Sequence, residues 1–284
     1  MRLPLHFSNS PPLSLPTLAN NTFSIQIGRR NYSPLSSKVL GSSGNDSHAV
    51  KPPISTIGVI GGLSSMSTVY FLERLVWWSD ASCLPFIVFS DPILAGSTKA
   101  EAIENIVRKA KFLEHLGAKC IVIPCHQSLL WHPEVSERCS LPVLPIGESV
   151  VSELRASRLR PLGAGSGNPR IGVLAIASSP SANFYQEKLR SEGYEVVLPD
   201  KRSADQILRP AIQCAKTDKE GAKMLLIISI NILLAVRGAK KVILACDELQ
   251  GLIPRNDPLL RRCLNPLDCL AISTIKWANK FIKI

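Results

Sequence analysis

Two segments of this chain repeat the same unusual order of residues, and this repeat constrains the fold more than any other feature. Residues 117–125 read Gly-Ala-Lys-Cys-Ile-Val-Ile-Pro-Cys, and residues 238–246 read Gly-Ala-Lys-Lys-Val-Ile-Leu-Ala-Cys. Each segment has a glycine typical of a helix end, an apolar run of strand length, and then a cysteine. Because ligands bind at the carboxyl ends of parallel strands, the repeat predicts matching functional positions for Cys125 and Cys246.

The chain upstream of each cysteine also repeats. Residues 57–62 and 170–176 are apolar, strand-like runs, and each leads through a turn rich in hydroxyl side chains into a helical segment. Strands that alternate with helices in this way predict an α/β fold with parallel sheets. We therefore predict two pseudo-symmetric lobes, each a parallel sheet flanked by helices. The active site is expected in the cleft between them, where Cys125 and Cys246 would face each other.

Composition divides the chain into three parts. Residues 1–52 are rich in Ser, Pro and Asn and contain no acidic residue before Asp46. This composition is typical of a transit peptide, and its serine bias favours a plastid (chloroplast) destination; a disordered linker is the alternative. The Gly-rich stretch 162–169 predicts a boundary between an N-terminal α/β lobe, residues 53–162, and a C-terminal α/β lobe, residues 163–284. The end of the chain is expected to pack back on the first lobe.

Charge, hydropathy and cysteine spacing narrow the possible partners. The formal net charge is +11, but the basic residues are scattered and form no run interleaved with aromatic residues. We therefore expect no nucleic-acid partner. The longest apolar run, residues 225–236, is shorter than the roughly 20 residues that cross a bilayer, so no membrane partner is expected. The 8 cysteines include no CxxC pair and no close Cys/His cluster, which argues against a metal site and a disulfide scaffold.

Two facing thiols can invert a carbon stereocentre. A thiol ionises near pH 8.5, so one cysteine can remove a proton from one face of a substrate while the other returns a proton to the opposite face. Backbone amides in the turns at residues 62–65 and 178–179 could stabilise the charge that develops on the substrate. The structural alternative is that each cysteine is a small buried hydrophobe, and the matched positions in both halves weigh against it.

Several short motifs occur in the same order as in a known family. These segments are Ile57-Gly58-Val59-Ile60-Gly61-Gly62 with Ser67-Thr68, Ile123-Pro124-Cys125, Ile171-Gly172-Val173-Leu174 with Tyr185, Leu244-Ala245-Cys246-Asp247-Glu248-Leu249, and Pro266-Leu267-Asp268. Together they resemble the cofactor-independent aspartate/glutamate racemase family, and most closely its plant aspartate-racemase-like branch, over about residues 56–277. The resemblance implies two α/β lobes, an isomerase that needs no pyridoxal phosphate or other cofactor, Cys125 and Cys246 as the acid–base pair, and a homodimer.

Both cysteine motifs depart from the pattern that the family usually shows. The family's Cys-Asn-Thr-(Ala/Ser)-His is Cys125-His126-Gln127-Ser128-Leu129 here, and its Cys-Thr-Glu-Leu is Cys246-Asp247-Glu248-Leu249. A negative charge at Asp247 is expected to raise the pKa of Cys246 and to repel a carboxylate substrate. Racemases for acidic amino acids also use a basic residue from the loop after the second strand. Residues 93–98 contain none, and Lys99 is the nearest candidate.

These observations give a set of candidate site residues. The catalytic candidates are Cys125 and Cys246, and the substrate-binding candidates are Gly62, Ser64, Ser67, Thr68, His126, Gln127, Ser128, Asp247 and Glu248. We predict an amino-acid racemase that acts on a small amino acid or related carboxylate by two-base proton transfer. Two alternatives stay open: a related decarboxylase or isomerase of a small dicarboxylate, and a catalytically silent homologue that binds a metabolite.

Overall fold

The structure is a computed structural model, and it describes most of the chain beyond the N-terminal segment. The described residues are 55–79, 84–91, 98–157, 159 and 167–282. The predicted transit peptide or linker, residues 1–52, lies outside them. Among the described helices, none combines the length and the apolar character that a bilayer crossing requires.

The first lobe is a four-stranded parallel sheet in the order β2-β1-β3-β4. Its strands are β1 (Ile57–Gly61), β2 (Phe86–Ser90), β3 (Cys120–Val122) and β4 (Val143–Leu144), and its helices are α1 (Ser65–Trp78), α2 (Lys99–His115), α3 (His132–Arg138) and α4 (Ile146–Ala156). Every residue of β1 and β3 is buried, which explains why these strands read as continuous apolar runs.

The second lobe repeats this topology with the order β6-β5-β7-β8. Its strands are β5 (Arg170–Leu174), β6 (Glu195–Val197), β7 (Lys241–Leu244) and β8 (Cys263–Leu264), and its helices are α5 (Pro180–Ser191), α6 (Lys201–Ser203), α7 (Arg209–Cys214) and α8 (Lys219–Asn231). A π-helical turn joins α6 to α7, and another follows α8. The predicted fold class, two α/β lobes with parallel sheets, is confirmed.

Strand register shows that the two lobes are built alike. Gly58 pairs with Ile121 in the first sheet, and Gly172 pairs with Val242 in the second. A Cβ atom on Gly58 would lie 2.9 Å from the Ile121 side chain, and one on Gly172 would lie 3.1 Å from that of Val242. Both glycines therefore allow the same close approach between the first and third strands. The cysteine-bearing loops consequently leave equivalent positions in the two sheets.

The turns after these first strands differ by one residue. When Gly58 is aligned with Gly172, Ser64 corresponds to Ser178, but the residue that caps the second helix is Ser179. Its side chain accepts a hydrogen bond from the Ala182 amide, as Ser64 does from the Ser67 amide. Counted from the paired glycines, the turn of the second lobe is one residue longer.

The C-terminal helix α9 (Pro266–Ile282) lies against α1 and α4 of the first lobe. Its apolar face enters a core that includes buried residues of both sheets, such as Ile57 and Ile243. Arg74 on α1 and Asp268 on α9 form an ion pair with 3.0 Å between Nε and Oδ1. The core between the two sheets is thus continuous, and α9 forms part of it.

Candidate active site

The first cysteine lies at the end of β3, immediately before a 3₁₀ helix at His126–Leu130. Cys125 has an extended backbone, and only 2% of its surface is exposed. The Ser128 hydroxyl donates a 2.6 Å hydrogen bond to the Cys125 carbonyl, and the Gln127 backbone N–H donates to the sulfur. The loop therefore holds the thiol at the start of a short helix, where backbone amides favour a negative charge.

The second cysteine occupies the equivalent place after β7, before a 3₁₀ helix at Asp247–Leu249. The Cys246 thiol donates a 3.3 Å hydrogen bond to the Leu174 carbonyl at the end of β5. The Gln250 amide donates to the carbonyls of Leu244 and Cys246, at 3.3 and 3.1 Å. Cys246 is buried, and its backbone is fixed by the residues that follow it.

The two cysteine loops meet through Asp247. Its Oδ2 atom accepts hydrogen bonds from the Cys125 thiol at 3.3 Å and from the His126 backbone N–H at 3.1 Å. Its Oδ1 atom lies 2.7 Å from Nδ1 of the His126 ring. The residue after the second cysteine thus contacts the first cysteine directly, so the structure brings Cys125, His126 and Asp247 together across the lobes.

Burial and nearby carboxylates favour the protonated form of both thiols. Burial, followed by the negative charge of Asp247, raises the pKa of Cys125 well above its ordinary value. Burial also raises the pKa of Cys246, with the charges of Glu248 and then Asp247 adding to the effect. Burial alone would raise the pKa of the Asp247 carboxyl. Its contacts with His126 and Cys125 outweigh that effect, so the pKa is lowered and the carboxylate stays ionised.

Two buried polar groups beside this cluster have no hydrogen-bond partner among the described residues. They are Nε2 of His126 and the hydroxyl of Tyr185, a fully buried residue on α5. The two rings pack edge to face with 6.1 Å between their centroids. Buried polar groups are almost always hydrogen-bonded, so these two atoms mark a place where a bound molecule can complete the hydrogen bonding.

The candidates in the first β–α turn lie together, and their polar groups bond to one another. Ser64 caps α1 and donates to the Ser67 hydroxyl at 2.9 Å, and the Thr68 hydroxyl donates to the Ser64 carbonyl at 2.9 Å. Gly62 has a φ of 108°, and its backbone lies against the Asp91 carbonyl. These residues shape the turn at the carboxyl end of β1.

The other candidates lie further out. The side chains of Gln127 and Glu248 are exposed, so Gln127 acts on Cys125 through its backbone amide. Lys99, the suggested basic residue, is exposed and forms an ion pair with Glu134.

The sequence did not single out the buried Lys109 on α2. Lys109 lies 3.2 Å from Asp91, and its ammonium is 5.4 Å from the centre of the Phe89 ring. The sequence does contain a clue to its burial, because Lys109 falls among the apolar positions of the amphipathic helix α2. A lysine buried there needs a carboxylate partner.

The buried thiols predict a pH dependence of stability that Cys120 can report. Burial raises the pKa of Cys120 to about 12, whereas an unfolded thiol ionises near 8.5. Its contribution to stability is therefore complete below about pH 8.5 and is lost as the pH rises towards 12. The free energy of unfolding, measured with urea in reducing buffer between about pH 9.5 and 10.5, should fall with pH less steeply in Cys120→Ala than in the wild type. The difference in slope should approach about 1.4 kcal/mol per pH unit.

A control separates this effect from lost packing. Val122→Ala removes apolar volume from the same buried strand but no titrating group, so it should lower stability equally at every pH. If the free energy of unfolding depends on pH equally in the wild type and in Cys120→Ala, the raised pKa of Cys120 is contradicted.

Comparison with known proteins gives a consistent result. A family model described as Asp/Glu/Hydantoin racemase matches residues 60–274. Among curated proteins, the chain is 22% identical over 158 residues to the broad specificity amino-acid racemase RacX of Bacillus subtilis. That match covers 51% of this chain and 64% of RacX, so the chain spans less than two thirds of this relative.

Solved structures share the fold. An aspartate racemase homologue from Pyrococcus horikoshii is similar with a TM-score of 0.66 and 21% identity, covering 79% of this chain and 99% of the homologue. The aspartate racemase of Picrophilus torridus gives a TM-score of 0.61 and 22% identity, covering 79% and 94%. At these identities the likeness establishes the two-lobe architecture alone.

Proposed function

Because the chain belongs to the Asp/Glu/Hydantoin racemase family, we propose that it is a cofactor-independent amino-acid racemase in which Cys125 and Cys246 are the two bases. The observation that carries this proposal is the contact of Asp247 with Cys125. It brings the loops after β3 and β7, each with a buried cysteine, to one place. The curated relative is named an amino-acid racemase, which supports an isomerase that acts on a small amino acid.

In the proposed reaction each thiol serves one face of the substrate. The Cys125 thiolate takes the α-proton, and the electron pair of the broken C–H bond moves into the substrate carboxylate. The Cys246 thiol then gives its proton to the opposite face of the α-carbon, which inverts the centre. The reverse reaction uses the same groups in exchanged roles, so one cysteine is a thiolate and the other a thiol at the start of each turnover.

The environment of the thiols suits this chemistry. Because burial raises the pKa of both cysteines, each thiolate, once formed, is a stronger base towards a weakly acidic α-proton. The Gln127 backbone N–H supplies a hydrogen bond that stabilises the Cys125 thiolate. The paired cysteines favour racemisation over the decarboxylase alternative, which needs only one proton donor.

The proposal is tested with the full chain, reduced, in heavy water with single L-amino acids. We expect loss of the α-proton signal in proton NMR and formation of the D-enantiomer, detected by chiral chromatography. Folded, reduced protein that produces neither exchange nor a D-enantiomer with any amino acid would exclude racemisation and leave the silent binding protein as the better hypothesis.

A further inference from the structure

We propose that the Asp247 carboxylate sets the substrate class of this site, admitting amino acids with a neutral or positively charged side chain and excluding dicarboxylic amino acids. This inference rests on the proposed racemase function and adds the substrate class to it. The observation behind it is the position of the carboxylate, which is hydrogen-bonded to Cys125 and His126 where the two cysteine loops meet.

The carboxylate of Asp247 already occupies the hydrogen-bond donors that an anion would use. Its oxygens contact the Cys125 thiol, the His126 backbone N–H and the His126 ring, at 3.3, 3.1 and 2.7 Å. A side-chain carboxylate of a substrate would have to displace Asp247 from these contacts. An ammonium group, in contrast, can bind the same carboxylate directly.

The surrounding charges reinforce this preference. Among the described residues, the buried side chains that can carry a positive charge are Arg74, Lys109 and His126. His126 already contacts Asp247 itself, with 2.7 Å between Nδ1 and Oδ1. Arg74 is paired with Asp268 at 3.0 Å, and Lys109 with Asp91 at 3.2 Å, so each already has its own carboxylate. Glu248 adds a second negative charge that acts on both thiols. A dicarboxylic substrate would therefore find, among the described residues, no buried cation that lacks a carboxylate partner.

The size of the effect follows from Coulomb's law. Two charges about 6 Å apart in partly buried surroundings, with an effective dielectric constant of about 20, change a binding constant by roughly a hundredfold. The sign is unfavourable for a second carboxylate near Asp247 and favourable for an ammonium group. A charge-neutral side chain of the same shape avoids the repulsion, so isosteric amino acids isolate the effect.

A positive group beside Asp247 also assists the first thiol. The charge of Asp247 opposes ionisation of Cys125, which donates its proton to that carboxylate in a hydrogen bond. A substrate ammonium that contacts Asp247 offsets this charge and makes the Cys125 thiolate easier to form. Substrates with a positively charged side chain thus activate the base that acts on them.

The test compares kcat/KM for two isosteric pairs, glutamine with glutamate and asparagine with aspartate, in the full chain. The wild type should prefer the amide over the acid by roughly a hundredfold. If the protein does not turn over one of these compounds, the affinity of that compound is measured by how strongly it inhibits α-proton exchange on an amino acid that the protein does accept. The ratio within each pair cancels the effect of side-chain size.

Three variants assign the preference to the Asp247 charge. Asp247→Asn keeps the shape and removes the charge, so its amide-to-acid ratio should fall to within about tenfold of one. Asp247→Glu keeps the charge and should retain the preference for the amide. Asp205→Asn makes the same chemical change at an exposed residue paired with Arg209, and its ratio should equal that of the wild type.

The outcomes separate this inference from the proposed function. Exchange with no amino acid would overturn the racemase proposal itself. Exchange that is as fast with glutamate or aspartate as with its amide would overturn the substrate-class inference and leave the racemase proposal intact. The wild-type ratio decides this point even when Asp247→Asn does not fold.

Discussion

Cys125→Ser and Cys246→Ser each reduce racemisation at least about a hundredfold, because removing a positioned acid or base typically costs that much or more. A hydroxyl has nearly the size of a thiol but is a far weaker acid, so it neither ionises nor donates a proton readily in this buried place. Both single variants should fail in both directions of the reaction, since each direction needs one base and one acid. Rates of D-enantiomer formation from the L-form, and of the reverse reaction, measure this effect.

The control for these variants is Cys214→Ser. Cys214 is a half-buried cysteine on α7, and its sulfur contacts the Ala211 carbonyl within the same helix. This variant removes a thiol outside the proposed site and should keep the wild-type rate. Racemisation at the wild-type rate in either Cys125→Ser or Cys246→Ser would contradict the two-base assignment.

Gly62→Ala lowers the free energy of unfolding by roughly 3–5 kcal/mol, from strain and overpacking combined. Gly62 has a φ of 108°, and a Cβ atom there would lie 1.9 Å from the Asp91 carbonyl oxygen and 2.5 Å from its carbon. The obstacle is backbone, so no side-chain rotation can relieve it. The turn after β1 must move away from the end of β2. Urea unfolding at neutral pH measures the loss.

Gly167→Ala is the matched control for this substitution. Among the described residues, a Cβ atom on Gly167 would meet no heavy atom within 4 Å, so stability should change by less than about 0.5 kcal/mol. A loss of under 1 kcal/mol in Gly62→Ala would show that the turn accepts a side chain, contrary to the tight approach seen here.

Periodicity predicted the fold class because both lobes rest on buried strands with continuous apolar runs. The alternation of strands and helices, beginning with β1 and α1, is visible in the hydrophobic periodicity of the sequence alone. The strand β8, with only 2 residues, carries no such signal and was not predicted. The sequence also does not show that the turn before Ser179 is one residue longer than the turn before Ser64, because hydroxyl residues in both turns could cap a helix at either length.

The candidate site was predictable in its residues but not in their contacts. The sequence placed Asp247 beside Cys246 and assigned its charge to that thiol. In the structure the charge of Asp247 does raise the pKa of Cys246, although burial and Glu248 have larger effects. The contact that the sequence did not predict is the one between the Asp247 carboxylate and Cys125. A contact between residues of different lobes depends on how the lobes meet, which no local pattern encodes. The sequence shows Tyr185 only as part of a motif, and only the structure shows that its buried hydroxyl has no hydrogen-bond partner among the described residues.

Deuterium labelling at low conversion tests the two-base mechanism most directly. The substrate is any L-amino acid that the wild type racemises in heavy water, and both enantiomers are recovered before about a tenth has reacted. Two thiols on opposite faces predict a D-product that carries deuterium, delivered by Cys246, and recovered L-substrate that keeps its proton. Equal labelling of both enantiomers, or a product that retains the original proton, would indicate a single base and contradict the assignment of Cys125 and Cys246.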